Sequence, residues 1–106
     1  MENKTAFTRN WNGKLDCHVF TTLRLPSRKY KVGDVHEIWL NNKFHKFAKI
    51  KEISQLKITE IDEYIAGQDT GLSASKAREL LQRMYANYTL DWNTQNLFYV
   101  LFETIN

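Results

Sequence analysis

The residues best suited to chemistry lie in Phe20-Thr-Thr-Leu-Arg24. On a strand, Thr22 and Arg24 stand two residues apart and share one face. A hydroxyl beside a guanidinium suits an anion or a nucleobase edge, because arginine offers a planar fork of donors. The same pair also fits an exposed strand edge with solvated polar groups. Around it the chain supplies cations for phosphate contacts, namely Arg9, Lys14, Arg28, Lys29 and Lys31. Trp11, Tyr30 and Trp39 are rings on which bases can stack, a combination common in single-strand RNA recognition. Trp11, at a turn, is expected to be exposed, and Trp39, within a hairpin, to pack in the core.

Other chemistries find less support. His18, His36 and His45 are far apart, and none stands at a ligand spacing from Cys17, so no metal site is expected. The three histidines are expected on strands, at the surface or half-buried. No phosphate loop or dinucleotide fingerprint is present, and no cofactor is expected. Gly33 and Gly71 read as turn glycines. Cys17 adjoins His18, but strand neighbours point to opposite faces. Cys17 is therefore expected to be a small buried hydrophobe.

The elements that must position these residues follow from periodicity. Residues 5–9 and 15–25 read as strands flanking Asn12-Gly13, a hairpin signal because both residues tolerate positive φ. Residues 35–40 and 44–53 flank Asn41-Asn42, a second two-residue turn. That register predicts Trp39 opposite Phe44 and Glu37 opposite Lys46, an aromatic pair and an ion pair. Thr59 is expected to cap a helix running through Tyr64 and Ile65, with Gly67 as its stop. Ser73 or Ser75 caps the next helix, whose apolar face is Ala77, Leu80, Leu81 and Met84. Residues 97–105 return to strand, apolar enough to be central in a sheet. Trp92 lies in an irregular stretch, residues 87–96, and either covers the cleft or pins the loop to the barrel. The pattern predicts an α+β domain: a small barrel of five to six strands, with two helices packed near one opening. A ferredoxin-like sandwich is the runner-up.

Length and composition agree with this. The 106 residues suit one domain, 1–106, and three Trp, five Tyr and six Phe supply much of its burial. The single cysteine, the polar start and the lack of a membrane-length apolar run predict a cytoplasmic protein. Charge is asymmetric. Residues 1–57 hold 12 Lys or Arg against 5 Asp or Glu, and residues 58–106 hold 3 against 7. A basic half favours anionic partners.

Several short motifs together resemble the ASCH group of PUA-like proteins. They are Thr22-Leu-Arg24, Tyr30-Lys-Val-Gly33-Asp34-Val35, the helical residues 59–68, Asp69-Thr-Gly71-Leu-Ser73 and Phe98-Tyr-Val-Leu-Phe102. The resemblance spans roughly residues 17–105. It implies a PUA-like β-barrel with a cleft near the Thr-x-Arg strand and a partner that is RNA or a nucleotide. For a binding role the residue types select Arg9, Trp11, Lys14, Thr22, Arg24, Tyr30 and Lys31, with Asp69 reading a donor edge. One branch of the family hydrolyses acetylated cytidine nucleosides with a Lys, a Thr and an acidic residue. By position Thr22 and Asp69 resemble the last two. The lysine position, three residues before the Thr, holds Val19, which cannot activate a hydroxyl, so the sequence favours binding over hydrolysis. Lys14, across the expected Asn12-Gly13 hairpin, is an open alternative that nothing in the sequence requires.

Overall fold

The computed structural model describes residues 3–105. Its strands are β1 (Asn3–Phe7), β2 (Val19–Arg24), β3 (Val35–Leu40), β4 (Lys43–Lys57) and β5 (Asn96–Ile105). Helices α1 (Glu63–Asp69) and α2 (Ala74–Met84) precede β5, and short 3-10 segments occupy Trp11–Asp16 and Ile58–Glu60. The strands form one sheet in the order β1-β3-β4-β5-β2. β1 pairs parallel with β3, and every other pair is antiparallel. The α+β expectation is met with five strands, and the terminal strand β5 is internal to the sheet, as its apolar sequence predicts.

The sheet curls until its two edge strands meet. Phe7 of β1 and Phe20 of β2 approach edge to face at 6.5 Å between centroids. Arg24 of β2 donates from Nη2 to the Ala6 carbonyl of β1 at 2.8 Å. This bond closes one end of a seam whose edges do not otherwise pair as strands. Alternation then builds two cores from the same strands. On β5, Val100 and Phe102 enter the inner cluster with Phe20, Ile38 and Ile50, while Leu97 joins Leu23, Ala77 and Leu81 beneath the helices. Phe20 and Phe102 stack at 5.2 Å.

The second hairpin forms as expected. Asn41 and Asn42 have φ of 51° and 64°, the turn that matches strand twist. Trp39 faces Phe44. Lys46, however, faces Ile38, and Glu37 faces Phe47, because the register shifts between Ile38 and Trp39 and leaves His45 as the extra residue. The first hairpin does not form. Asn12 and Gly13 do take positive φ, 55° and 66°, but they turn a 3-10 segment that sends β1 to β3 and β2 to β5.

The helix boundaries also move. Asp62, not Thr59, caps α1 by accepting from the Ile65 amide at 2.8 Å. Residues 58–60 form their own turn, with the Glu60 carboxylate accepting from the Lys57 amide at 2.7 Å. Gly67 lies within α1, and the chain leaves the helix through Gly71 at φ 75°. Ser73 caps α2. Trp92 packs against the cluster beneath the helices, so it pins its loop.

Three burial expectations reverse. Trp39, expected in the core, is half-buried and joins neither core cluster, because it stands on the opposite face of β3 from Ile38. Cys17 is exposed. His36 is fully buried between β1 and a loop. Its Nε2–H donates to the Lys29 carbonyl at 2.9 Å, since a carbonyl can only accept. Nδ1 then accepts from the Thr5 hydroxyl at 2.8 Å. Burial holds the imidazole below its ordinary value of 6.5, so it stays neutral.

Candidate functional site: a cleft at the barrel seam

Alternation along β2 splits its polar residues between two faces. Phe20 and Thr22 point toward the barrel, whereas Thr21 and Leu23 point toward the helices. Arg24 returns to the seam. Its Nε donates to Thr22 Oγ1 at 2.9 Å, and its guanidinium lies 4.6 Å from the Phe7 ring centroid. The Thr22 hydroxyl accepts this bond, so its own proton remains available for a ligand.

The 3-10 segment brings in the third group. Asn10 Oδ1 accepts from the Leu15 amide at 2.9 Å, and the Leu15 side chain is wholly buried. These anchors turn the preceding residue inward as well. Lys14 Nζ meets Asp69 Oδ1 at 3.0 Å, with both side chains under a tenth exposed. Thr21 donates to the same oxygen at 3.2 Å. Desolvation lowers the Lys14 ammonium below its ordinary 10.5; Asp69 opposes the shift and the Arg24 charge adds to it.

Asp69 closes α1, and the turn beyond it is tightly fitted. Gly71 has positive φ, and a Cβ there would meet Asn12 Cγ at 3.0 Å. The Thr70 hydroxyl bonds back to the Ala66 carbonyl at 3.0 Å. The segment carrying Lys14 and the turn after Asp69 are therefore packed directly on each other.

Together these elements enclose a cleft of about 150 Å³. Its polar lining is Thr8, Lys14, Thr22, Arg24, Asp69 and Thr70, and its apolar walls include Phe7, Trp11 and the Ala77, Leu80, Leu81 and Met84 face of α2. That helical face divides. Ala77 and Leu81 are buried in the core, whereas Leu80 and Met84 turn to the cleft, with Met84 51% exposed. Arg9 stacks on Trp11 at 4.7 Å. Lys14 and Asp69 offset one another, so the net charge at the cleft is that of Arg24, with Arg9 at the rim.

Thr22, Arg24, Asp69, Lys14 and Trp11 are thus brought together, and Arg9 joins through Trp11. Tyr30 and Lys31 are not. Tyr30 is buried in the core, stacked on His36 at 5.6 Å, and Lys31 lies on a separate shallow groove beside Arg28. Val19 is 45% exposed and lines a different opening, on the far side of Lys14. Sequence reasoning missed Thr21, Thr70 and the role of Leu80 and Met84 as wall. Thr21 carried a signal: adjacent to Thr22, it must face the helix that brings Asp69. Among the described residues no group of His, Cys, Asp and Glu could hold a metal ion. No described helix is long and apolar enough to cross a membrane.

No family model matches the sequence, and no curated protein matches it. The structure is similar to the crystal structure of protein EF3133 from Enterococcus faecalis V583, which carries the family-model description DUF984. The TM-score is 0.71 at 15% identity, and the match covers 99% of this chain and 77% of that one. At this identity the likeness is one of fold: a small α+β architecture shared with a DUF984 protein.

Proposed function

We propose that the seam cleft binds one base-bearing unit, a nucleotide or a nucleotide of an RNA strand. The observation that carries this reading is the convergence of Thr22, Arg24, Lys14, Asp69 and Trp11 on one cleft with apolar walls. The volume is small beside the ~300–1,000 Å³ of drug-sized pockets, which favours a single base over a length of strand. A base would lie against Trp11 and the Leu80 and Met84 wall. Thr22 would donate to its edge, Asp69 would accept from an amino group, and Arg24 would meet a phosphate. The resemblance of the Thr22-Leu-Arg24 and Asp69-Thr-Gly71 motifs to the ASCH group supports the same ligand class.

The test is titration with cytidine and cytidine 5′-monophosphate at two salt concentrations. The monophosphate is expected to bind more tightly, with a salt dependence that the nucleoside lacks. Arg24→Gln should weaken the monophosphate by ~10-fold or more, the scale of a lost charge-assisted bond. No binding of either compound at low salt would sink the reading.

The Lys14–Asp69 pair favours a second reading, hydrolysis of an acylated cytidine. The family's lysine position is Val19, but Lys14 arrives at the Asp69 carboxylate by another route. Its burial makes the neutral amine more accessible than in an exposed lysine. Lys14 would then take the Thr22 proton as the hydroxyl attacks the amide carbonyl, and return it to the departing amine. Water would cleave the acyl-threonine and release the acid. Incubation with acetylated cytidine should yield cytidine, and Lys14→Met and Thr22→Ala should each abolish the product. Activity that persisted in both variants would exclude these roles.

A further inference from the structure

The loop after β2 carries cations that the cleft does not use. Among residues 17–36, Arg24, Arg28, Lys29 and Lys31 stand against one carboxylate, Asp34. Lys29 has a structural task, since its Nζ donates to the Lys4 carbonyl of β1 at 2.8 Å. Arg28 and Lys31 are exposed, and among the described residues neither side chain makes a hydrogen bond or an ion pair. Both line an open groove of about 500 Å³ with Pro26, Ser27, Tyr30 and Phe98. No carboxylate lines it, and Asp34, whose charge acts on His36, lies outside it. The groove is therefore basic by two charges. Its floor is apolar: Tyr30 and Phe98 meet edge to face at 6.5 Å, beside Pro26.

This groove adjoins the cleft. Arg24 lines the cleft, Phe98 lines the groove, and the two are cross-strand partners on β2 and β5. Direct partners on antiparallel strands share a face, with Cβ atoms ~4.5–5.5 Å apart. Arg24 thus stands at the boundary, and its charge reaches both sides. Burial lowers the ammonium groups of Lys14 and Lys29, and Arg24 adds to both shifts, although Asp69 opposes the one at Lys14.

We propose that the groove is a second subsite, which takes the nucleotide next to the one in the cleft, so that the ligand is an oligonucleotide strand. This rests on the reading of the cleft as a base site. Arg24 holds the phosphate between the two units, and Arg28 and Lys31 meet the phosphate that follows. Cations alone would serve the tail of a nucleoside triphosphate. An apolar floor between them suits a sugar or a base, which favours the strand.

The experiment compares the affinities of cytidine 5′-monophosphate, cytidine 5′-triphosphate and a trinucleotide of cytidine. The trinucleotide should bind at least ~10-fold more tightly than the monophosphate, the scale of an added base contact and phosphate contact. Arg28→Gln with Lys31→Gln should remove most of that gain and lower the trinucleotide's salt slope by about one to two phosphates, while the monophosphate stays within ~2-fold. Both side chains are exposed and unbonded, so this variant keeps its fold. Arg24→Gln, at the boundary, should weaken all three ligands. The proposal is overturned if the trinucleotide binds no better than the monophosphate. It is also overturned if the loop variant weakens both equally, which would mark a diffuse field without a subsite. A triphosphate that gains and loses as much as the trinucleotide would make the groove a polyphosphate site and overturn the strand. Failure of all three ligands to bind would instead sink the cleft reading, and this one with it.

Discussion

Lys14 and Asp69 each compensate the other's buried charge. With Asp69→Ala the ammonium is left buried without its carboxylate, which should destabilise by ~3–5 kcal/mol at neutral pH. Lys14→Met leaves the Asp69 carboxylate buried without its ammonium, with the Thr21 hydroxyl still donating to it, so its loss in urea denaturation should be of the same order. The Asp69→Ala deficit should also shrink between pH 7 and 10. The folded Lys14 value lies below 10.5, so the unfolded chain binds more protons there and stability rises with pH. A deficit independent of pH would show that Lys14 is not the residue stranded. Thr22 and Arg24 were legible in the sequence because strand period alone places them together. Tyr30 was not. A tyrosine in a proline-containing loop reads as exposed, but stacking on His36, itself bonded to Thr5, holds the ring in the core.

At the level of elements, the site depends on a turn packed against a turn. Gly71→Ala should destabilise by ~1–2 kcal/mol from its backbone conformation alone. It should lose more from the 3.0 Å approach to Asn12, displacing the segment that carries Lys14. Adding Asn12→Gly should recover the contact part and leave the backbone part, a non-additivity that a double-mutant cycle measures. Additive losses would show that the two turns are not coupled. This contact explains what could be read locally. Asn12-Gly13 and Asn41-Asn42 both announce positive φ, and both have it. Only the second joins strands that pair with each other, because partner choice is a non-local matter that a dipeptide does not encode. The bulge at His45 likewise shifts every pair beyond it by one residue.

For the molecule as a whole, the seam depends on β1 reaching across to β3, and His36 secures that join. The imidazole lies below 6.5 in the folded state, so the unfolded chain takes up the extra proton and stability falls as pH drops below about 6.5. Melting temperature should decline on that limb, and His36→Gln should flatten it while lowering stability at pH 7. An unchanged acid limb would assign the effect to carboxylates. The fold class and the central place of β5 were legible, since both rest on hydrophobic pattern. The strand order was not, because a five-residue strand leaves no mark of whether its partner runs parallel. β1 is bound on one side by its ladder to β3 and on the other by two side chains, Arg24 on the Ala6 carbonyl and Lys29 on the Lys4 carbonyl. Its amides should therefore exchange with solvent deuterium through local openings well before those of β5, which is flanked on both sides. A compound seated in the seam bridges β1 to β2 and α2, so it should slow that exchange selectively. The deuterium uptake of residues 3–7 would then report occupancy of the cleft for any candidate compound, whatever reaction or partner it belongs to.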